Sequence, residues 1–153
     1  MIAVVGVLAL SVWSQDVRDA VLGILLWDDT DFSPGYSELS FRQIHPGLTE
    51  NAVRSLLGPP LLEMWQYQAK GPYGCVAVSF AENRVVSLVY SRDCESRNVR
   101  TAISKDDVVR RLGSSDAVSW SYSRSPGDTH YRRRVVVFSE GKVTQVKSDW
   151  YFD

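Results

Sequence analysis

Residues 44–67 read IHPGLTENAVRSLLGPPLLEMWQY, and this stretch decides how the rest of the chain is interpreted. Thr49 can cap a helix, because its hydroxyl can accept a hydrogen bond from an unpaired amide of the first turn. Gly58 suits the position that ends a helix, and the two prolines after it forbid continuation. Trp65 and Tyr67 are two residues apart, so they share one face of an extended segment. We therefore predict a short helix and then a strand, with an apolar helical stripe formed by Val53, Leu56 and Leu57.

The same order of residue types recurs in the second half of the chain. Cap, apolar stripe, glycine stop and aromatic pair reappear at Ser104, Val108, Leu112, Gly113, Trp120 and Tyr122. The hairpin FAENRV of residues 80–85 likewise matches FSEGKV of residues 138–143. Because all these features keep one order, we interpret the chain as a tandem duplication.

This pattern predicts an α+β fold: a tandem repeat of helix–helix–three-strand units that form one continuous antiparallel sheet with helices on one face. The predicted divisions are an apolar N-terminal anchor and amphipathic helix (1–27), a linker (28–37), a first repeat (38–91) and a second repeat (98–153).

Composition excludes some function classes. The chain has 153 residues, 44% of them hydrophobic, and a net charge of −1, which is ordinary for a globular protein and argues against nucleic acid as a partner. The basic run Arg132-Arg133-Arg134 is interpreted as a solvated strand start. Cys75 and Cys94 do not settle whether a disulfide forms. The absence of a Cys/His cluster from the sequence predicts no structural zinc, and no cofactor is expected.

Residues 1–13 are apolar apart from Gly6 and Ser11, but they are too few to cross a bilayer core of about 30 Å. They resemble the apolar part of a signal peptide or the end of a membrane anchor; the alternative is a buried helix. The next segment predicts an amphipathic helix, whose apolar residues are Val17, Ala20, Val21, Ile24 and Leu25. That face could lie in a membrane interface or cover a protein surface, and the lack of lysines favours protein. We predict membrane association through residues 1–27 and a location in the cell envelope, membrane-anchored or exported.

The motif residues resemble those of the SmpA/OmlA family, also called the BamE-like domain, and their duplication is similar to the β-lactamase inhibitor protein-like fold. The resemblance is carried by Ile44-x-x-Gly47-Leu48-Thr49, Val53, Leu57-Gly58-x-Pro60, Trp65-x-Tyr67 and Val78-x-Phe80-x4-Val85. It implies a small bacterial envelope protein that binds other proteins, as the branch of the family involved in outer-membrane β-barrel insertion does.

Catalytic signatures are missing from the sequence. It contains no nucleophile elbow, glycine-rich phosphate loop or H-E-x-x-H motif, and His45 and His130 are expected at the surface. We therefore predict no catalytic and no metal-binding residues. An enzyme that uses loop carboxylates and His130 is the weakest of three hypotheses.

The predicted binding site lies on one face of the sheet. Val78, Phe80, Val85, Val136, Phe138 and Val143 match between the repeats and in the pattern of the family that the chain resembles, so we assign them to the helix-covered core. The opposite face then carries Leu88, Tyr90, Val135, Val137, Val146 and Trp150, where a solvated face should alternate to polar residues. Exposed apolar residues in such number usually mark an interface. The alternative is that the two faces are inverted and these residues are core. Helix 16–27, a second copy in a homodimer, or a foreign protein could cover the patch.

The leading hypothesis is a non-enzymatic protein-interaction module of the bacterial cell envelope, acting in outer-membrane protein assembly or envelope maintenance. The second is a domain that binds a small apolar ligand or acts as a sensor, with the ligand enclosed by a curved sheet. A protein partner should need an open surface, whereas a small ligand should need a closed pocket.

Overall fold

A computed structural model describes residues 15–26, 28–68, 74–90, 99–127 and 130–152. The predicted anchor 1–13 and the question of a bridge between Cys75 and Cys94 lie outside the described residues and side chains.

The described residues form four helices and eight strands. The helices are α1 (Gln15–Leu26), α2 (Glu38–Phe41), α3 (Glu50–Leu57) and α4 (Lys105–Leu112). The strands are β1 (Asp31–Phe32), β2 (Leu62–Gln68), β3 (Gly74–Ala81), β4 (Arg84–Tyr90), β5 (Ala117–Ser121), β6 (Ser123–Arg124), β7 (Tyr131–Ser139) and β8 (Lys142–Tyr151). Six strands form an antiparallel sheet in the order β4-β3-β2-β5-β7-β8, and β1 pairs with β6 in a separate sheet.

Helices α3 and α4 begin and end where local chemistry dictates. The Thr49 hydroxyl accepts from the amide of Ala52 at 3.3 Å, and Gly58 ends α3 with a φ of 73°. Ser104 and Asp107 form a full capping box at α4, and Gly113 ends that helix with a φ of 82°. Glycine suits both ends, because a side chain would be strained at such positive φ values.

The predicted fold class is wrong, because the chain does not form repeats of helix–helix–three-strand units. It is mainly antiparallel sheet, and only α4 stands between β4 and β5 in the described part of the chain. Helices α3 and α4 also each pack on strands from the other half of the chain. Val53 of α3 clusters with Trp120 and Phe138, whereas Val108 of α4 clusters with Phe80.

Backbone hydrogen bonds fix this exchanged packing. The segment before α3 binds the β7–β8 hairpin, where the amide of Val143 donates to the carbonyl of Leu48 at 2.8 Å. The segment before α4 binds the β3–β4 hairpin in the same manner, and the amide of Val85 donates to the carbonyl of Ile103 at 3.0 Å. The helices are therefore held by the opposite hairpins, which a repeat-by-repeat interpretation of the sequence does not anticipate.

The predicted core residues are confirmed. Val78, Phe80, Val85, Val136, Phe138 and Val143 are each at most 2% exposed. The two tryptophans of the sequence pattern have the same packing. The ring centroid of Trp65 lies 4.6 Å from that of Phe80, and the centroid of Trp120 lies 4.6 Å from that of Phe138. The angle between the ring planes is 57° in both pairs. Trp120 is buried, whereas Trp65 is half-buried.

The interpretation of the basic run is wrong at Arg134, which is fully buried. Its Nε donates to Glu38 Oε2 at 3.1 Å, and its Nη2 donates to Asp19 Oδ2 at 2.7 Å. Asp19 also accepts from Nε1 of Trp150 at 3.0 Å. A buried guanidinium requires such partners, because an unpaired buried charge is very unfavourable.

Helix α1 consequently turns a polar residue, and not most of its apolar residues, toward the rest of the protein. Asp19 points inward and is 9% exposed, whereas Ile24 is 81% exposed and Leu25 is 67% exposed. The distant Arg134 determines this orientation, because it draws the carboxylate of α1 into the protein. No described helix is long and apolar enough to span a membrane.

Candidate functional site

The six predicted binding residues do not share one face of the sheet, and that part of the prediction is wrong. Residues directly opposite each other in antiparallel strands point to the same side of the sheet. Leu88 lies opposite Val78 and Tyr90 opposite Val76, so both are on the helix-covered face. Val146 lies opposite Val136, and Trp150 is also on that face. Only Val135 and Val137 remain on the other side of the sheet.

Two β-bulges cause this difference. In β4, Val85 lies opposite Phe80 and Ser87 opposite Ser79, which leaves Val86 as an extra residue. In β8, the register shift leaves Thr144 as the extra residue in the same way. Each extra residue reverses the alternation beyond it, because the side-chain period of a strand is two.

The four relocated residues have structural partners. Leu88 packs against the cluster that contains Val78, and the Tyr90 hydroxyl donates to the carbonyl of Val99 at 3.0 Å. Val146 packs against the cluster around Trp120. Trp150 is 7% exposed and is hydrogen-bonded to Asp19, as described above.

The opposite face of the six-stranded sheet is the candidate site, and we call it the open face. The clusters and hydrogen bonds that hold the described helices all lie on the other side. Val135 and Val137 lie on β7, the strand next to the edge strand β8, and are half-buried. Their cross-strand neighbours are mainly small or polar: Ser119 and Gln145 beside Val137, and Ser121 and Lys147 beside Val135. Met64 continues this surface next to Ser119 and Ser79.

One corner of the open face is polar and aromatic. Arg133 donates to both carboxylate oxygens of Asp149, at 2.8 and 2.5 Å. These bonds lower the pKa of Asp149 and raise that of Arg133. The rings of Tyr131 and Tyr151 lie beside this pair with centroids 5.3 Å apart. The apolar pair Val135 and Val137 is therefore bordered at one end of β7 by an ion pair and two tyrosines, which can hydrogen-bond and stack.

A cleft of about 330 Å³ opens on the helix-covered side. Its floor includes Trp65 and Phe138, and Glu50, Glu63 and Glu140 are among its lining residues. Burial and, to a smaller extent, the charge of Glu63 raise the pKa of Glu50. The carboxylate of Glu63 accepts from Lys105 Nζ at 2.7 Å, so this acidic charge is partly neutralised from within the chain.

Neither histidine is among the residues that line this cleft. His45 is exposed, with Nδ1 3.0 Å from the carbonyl oxygen of Pro46. His130 lies edge-on to Phe152, with 5.6 Å between ring centroids. The geometry of the described residues therefore adds no support to the hypothesis of an enzyme that uses His130.

Sequence reasoning missed the network of Asp19, Arg134 and Glu38. Asp19 carries no distinctive sequence signal, because Asp16 and Arg18 of the same helix are also charged. Comparisons with protein-family models, with curated proteins and with solved structures find no match to this chain.

Proposed function

We propose that this chain is a non-enzymatic protein-interaction module of the bacterial cell envelope, which binds a protein partner through the open face. The observation that carries the proposal is the half-buried pair Val135 and Val137, set in a face that the described helices leave uncovered. An apolar centre inside a polar rim is typical of protein–protein interfaces. Arg133 with Asp149, and Tyr131 with Tyr151, supply that rim.

A protein partner fits this surface better than a small apolar ligand does. A small-molecule site normally buries most of its ligand in a concave, mainly apolar pocket. The open face is a sheet surface, and the clefts of the described residues have charged linings: Glu50 and Glu63 in the cleft of about 330 Å³, and Arg54, Glu63 and Lys105 in a second of about 450 Å³. A sheet surface that carries an apolar pair among small and polar side chains can instead receive a helix or a strand of another protein.

The envelope setting rests on the resemblance of residues 44–85 to the BamE-like domain. Members of that family bind proteins, and the proposal takes the same partner class: a protein of outer-membrane assembly or envelope maintenance. A second copy of this chain is the competing occupant of the open face.

Site-specific cross-linking tests the proposal. A photoreactive amino acid is placed at Val137, and a matched control is placed at Val109, which is 45% exposed on α4. We expect a discrete envelope-protein adduct from position 137, and we expect Val135→Glu to abolish it because a carboxylate would be buried in an apolar contact. No adduct, or an equal adduct from position 109, contradicts the proposal. An adduct between two copies identifies a homodimer instead.

A further inference from the structure

We propose that α1 lies in the membrane–water interface, with its apolar stripe in contact with lipid. The stripe consists of Val17, Ala20, Ile24 and Leu25, which lie on the side of the helix away from Asp19. This surface is separate from the open face, so it adds a lipid contact to the proposed protein contact.

The orientation of α1 is fixed by buried contacts. Asp19 accepts from Arg134 at 2.7 Å and from Trp150 at 3.0 Å, and both partners belong to the six-stranded sheet. Residues at i+5 of a helix lie on nearly the opposite side, and Ile24 is accordingly 81% exposed. Val17, on the same side, is 45% exposed. A soluble amphipathic helix would present this stripe to the protein and Asp19 to water.

Lipid is the occupant that the chain itself indicates. The apolar run of residues 1–13 leads almost directly into α1, so the stripe continues a segment that water does not favour. An exposed aromatic side chain lies close to α1: Phe152 is 55% exposed, and its ring centroid is 6.5 Å from that of the buried Trp150, which is hydrogen-bonded to Asp19. Aromatic residues are enriched where proteins meet the membrane–water interface.

The charges near α1 indicate whether attraction to anionic headgroups or burial of apolar side chains supplies the binding to lipid. Asp28 and Asp31 follow the helix, and Arg132, which reaches Asp28 at 2.7 Å, is engaged in that pair. Asp31 is likewise paired, with Arg124 at 3.7 Å, so these carboxylates and arginines balance one another and apolar burial must supply the binding. Binding should therefore be equally strong on zwitterionic and anionic vesicles and insensitive to salt.

Flotation of the purified full chain with phosphatidylcholine vesicles tests this inference. We expect Ile24→Glu/Leu25→Glu to weaken binding by about tenfold or more, because both side chains lose their apolar burial and gain charge. The control Val89→Glu alters a 64% exposed residue on the open face and should bind vesicles as the unchanged chain does. Circular dichroism and thermal unfolding check that each variant is folded.

A second measurement separates α1 from residues 1–13. An environment-sensitive fluorophore at position 24, on a background with Cys75→Ser and Cys94→Ser, should shift to the blue on vesicle addition, whereas one at position 109 should not. Two results together would overturn the inference. The Ile24→Glu/Leu25→Glu variant would be folded and bind vesicles normally, and the separate chain labelled at position 24 would show no spectral shift. Val135→Glu should leave vesicle binding unchanged, so failure of the lipid contact is distinguishable from failure of the protein contact.

Discussion

Arg134 Nη2 donates to Asp19 Oδ2 at 2.7 Å and thereby joins α1 to β7 across 115 residues of sequence. The guanidinium is fully buried, and its Nε reaches the second carboxylate, Glu38, at 3.1 Å. Helix α1, the short helix α2 and strand β7 are thus connected through one side chain.

Asp19→Asn should be strongly destabilising. The substitution preserves size but leaves a buried cation with one carboxylate, and removing a partner from a buried ion pair costs about 3–5 kcal/mol. We expect the free energy of unfolding, measured in urea at pH 7, to fall by about 3 kcal/mol, the low end of that range, because Glu38 still pairs with Arg134. Hydrogen exchange in α1 should also become faster. The control is Asp31→Asn, whose partner Arg124 is 3.7 Å away in an exposed pair, and it should cost less than about 1 kcal/mol. Equal losses in the two variants would show that the buried pair is not special.

Glu38 should make the protein acid-sensitive. Burial alone would raise its pKa, but hydrogen bonds from Tyr36 and Arg134 outweigh burial and lower that pKa below the ordinary 4.5. A carboxylate with a lowered folded-state pKa contributes stability that is complete above the unfolded value and is lost as pH falls through the folded value. Unfolding free energy should thus decline below about pH 4.5, and Glu38→Gln should flatten this decline. An unchanged slope in Glu38→Gln would assign the acid sensitivity to other carboxylates.

Leu88 and Val89 are neighbours on the edge strand β4, and truncation of Leu88 should lower the free energy of unfolding more than truncation of Val89. The bulge at Val86 turns Leu88 toward the core and leaves Val89 64% exposed. Leu88→Ala should cost about 2 kcal/mol, toward the low end for buried leucines because the residue is only half-buried. Val89→Ala should cost less than about 0.5 kcal/mol. Chemical denaturation of both variants measures this, and the reverse order would place the bulge elsewhere.

The pKa of Glu50 should lie above 4.5 and should depend on Glu63. Burial is the larger cause of the increase and the charge of Glu63 the smaller, so Glu63→Gln should lower the pKa of Glu50 without restoring the ordinary value. Carbon-detected NMR titration of the Glu50 carboxyl measures the change. Glu140→Gln is the matched control, because Glu140 lines the same cleft but is not among the charges that raise this pKa. The same decrease in both variants would rule out a specific coupling.

The two helix caps should differ in strength. Thr49→Ala removes one cap hydrogen bond and should cost about 1 kcal/mol. Ser104→Ala should cost up to about 2 kcal/mol, because Ser104 accepts from the amide of Asp107 and also donates to its carboxylate at 2.7 Å. Thermal unfolding of the single and double variants measures both effects, which should add because the caps share no partner. A larger loss at Thr49 would contradict this ranking.

Local chemistry made part of this structure predictable. The caps at Thr49 and Ser104 and the buried residues around Phe80 and Phe138 follow from short-range patterns, and each was anticipated correctly. The candidate site was not, because a single extra residue in β4 and another in β8 reverse the alternation, and Val86 and Thr144 carry no distinctive sequence signal. The orientation of α1 depends on Arg134, far along the chain, and no periodicity within α1 reveals such a partner.

The exchange of helices between the two halves has a consequence for synthesis. Helix α3 finishes early on the ribosome, but its packing surface on β7 and β8 is made almost last. Helix α4 and strands β2–β4, by contrast, are all made before β7, so the cluster around Phe80 can form first, whereas the cluster around α3 must wait for the β7–β8 hairpin.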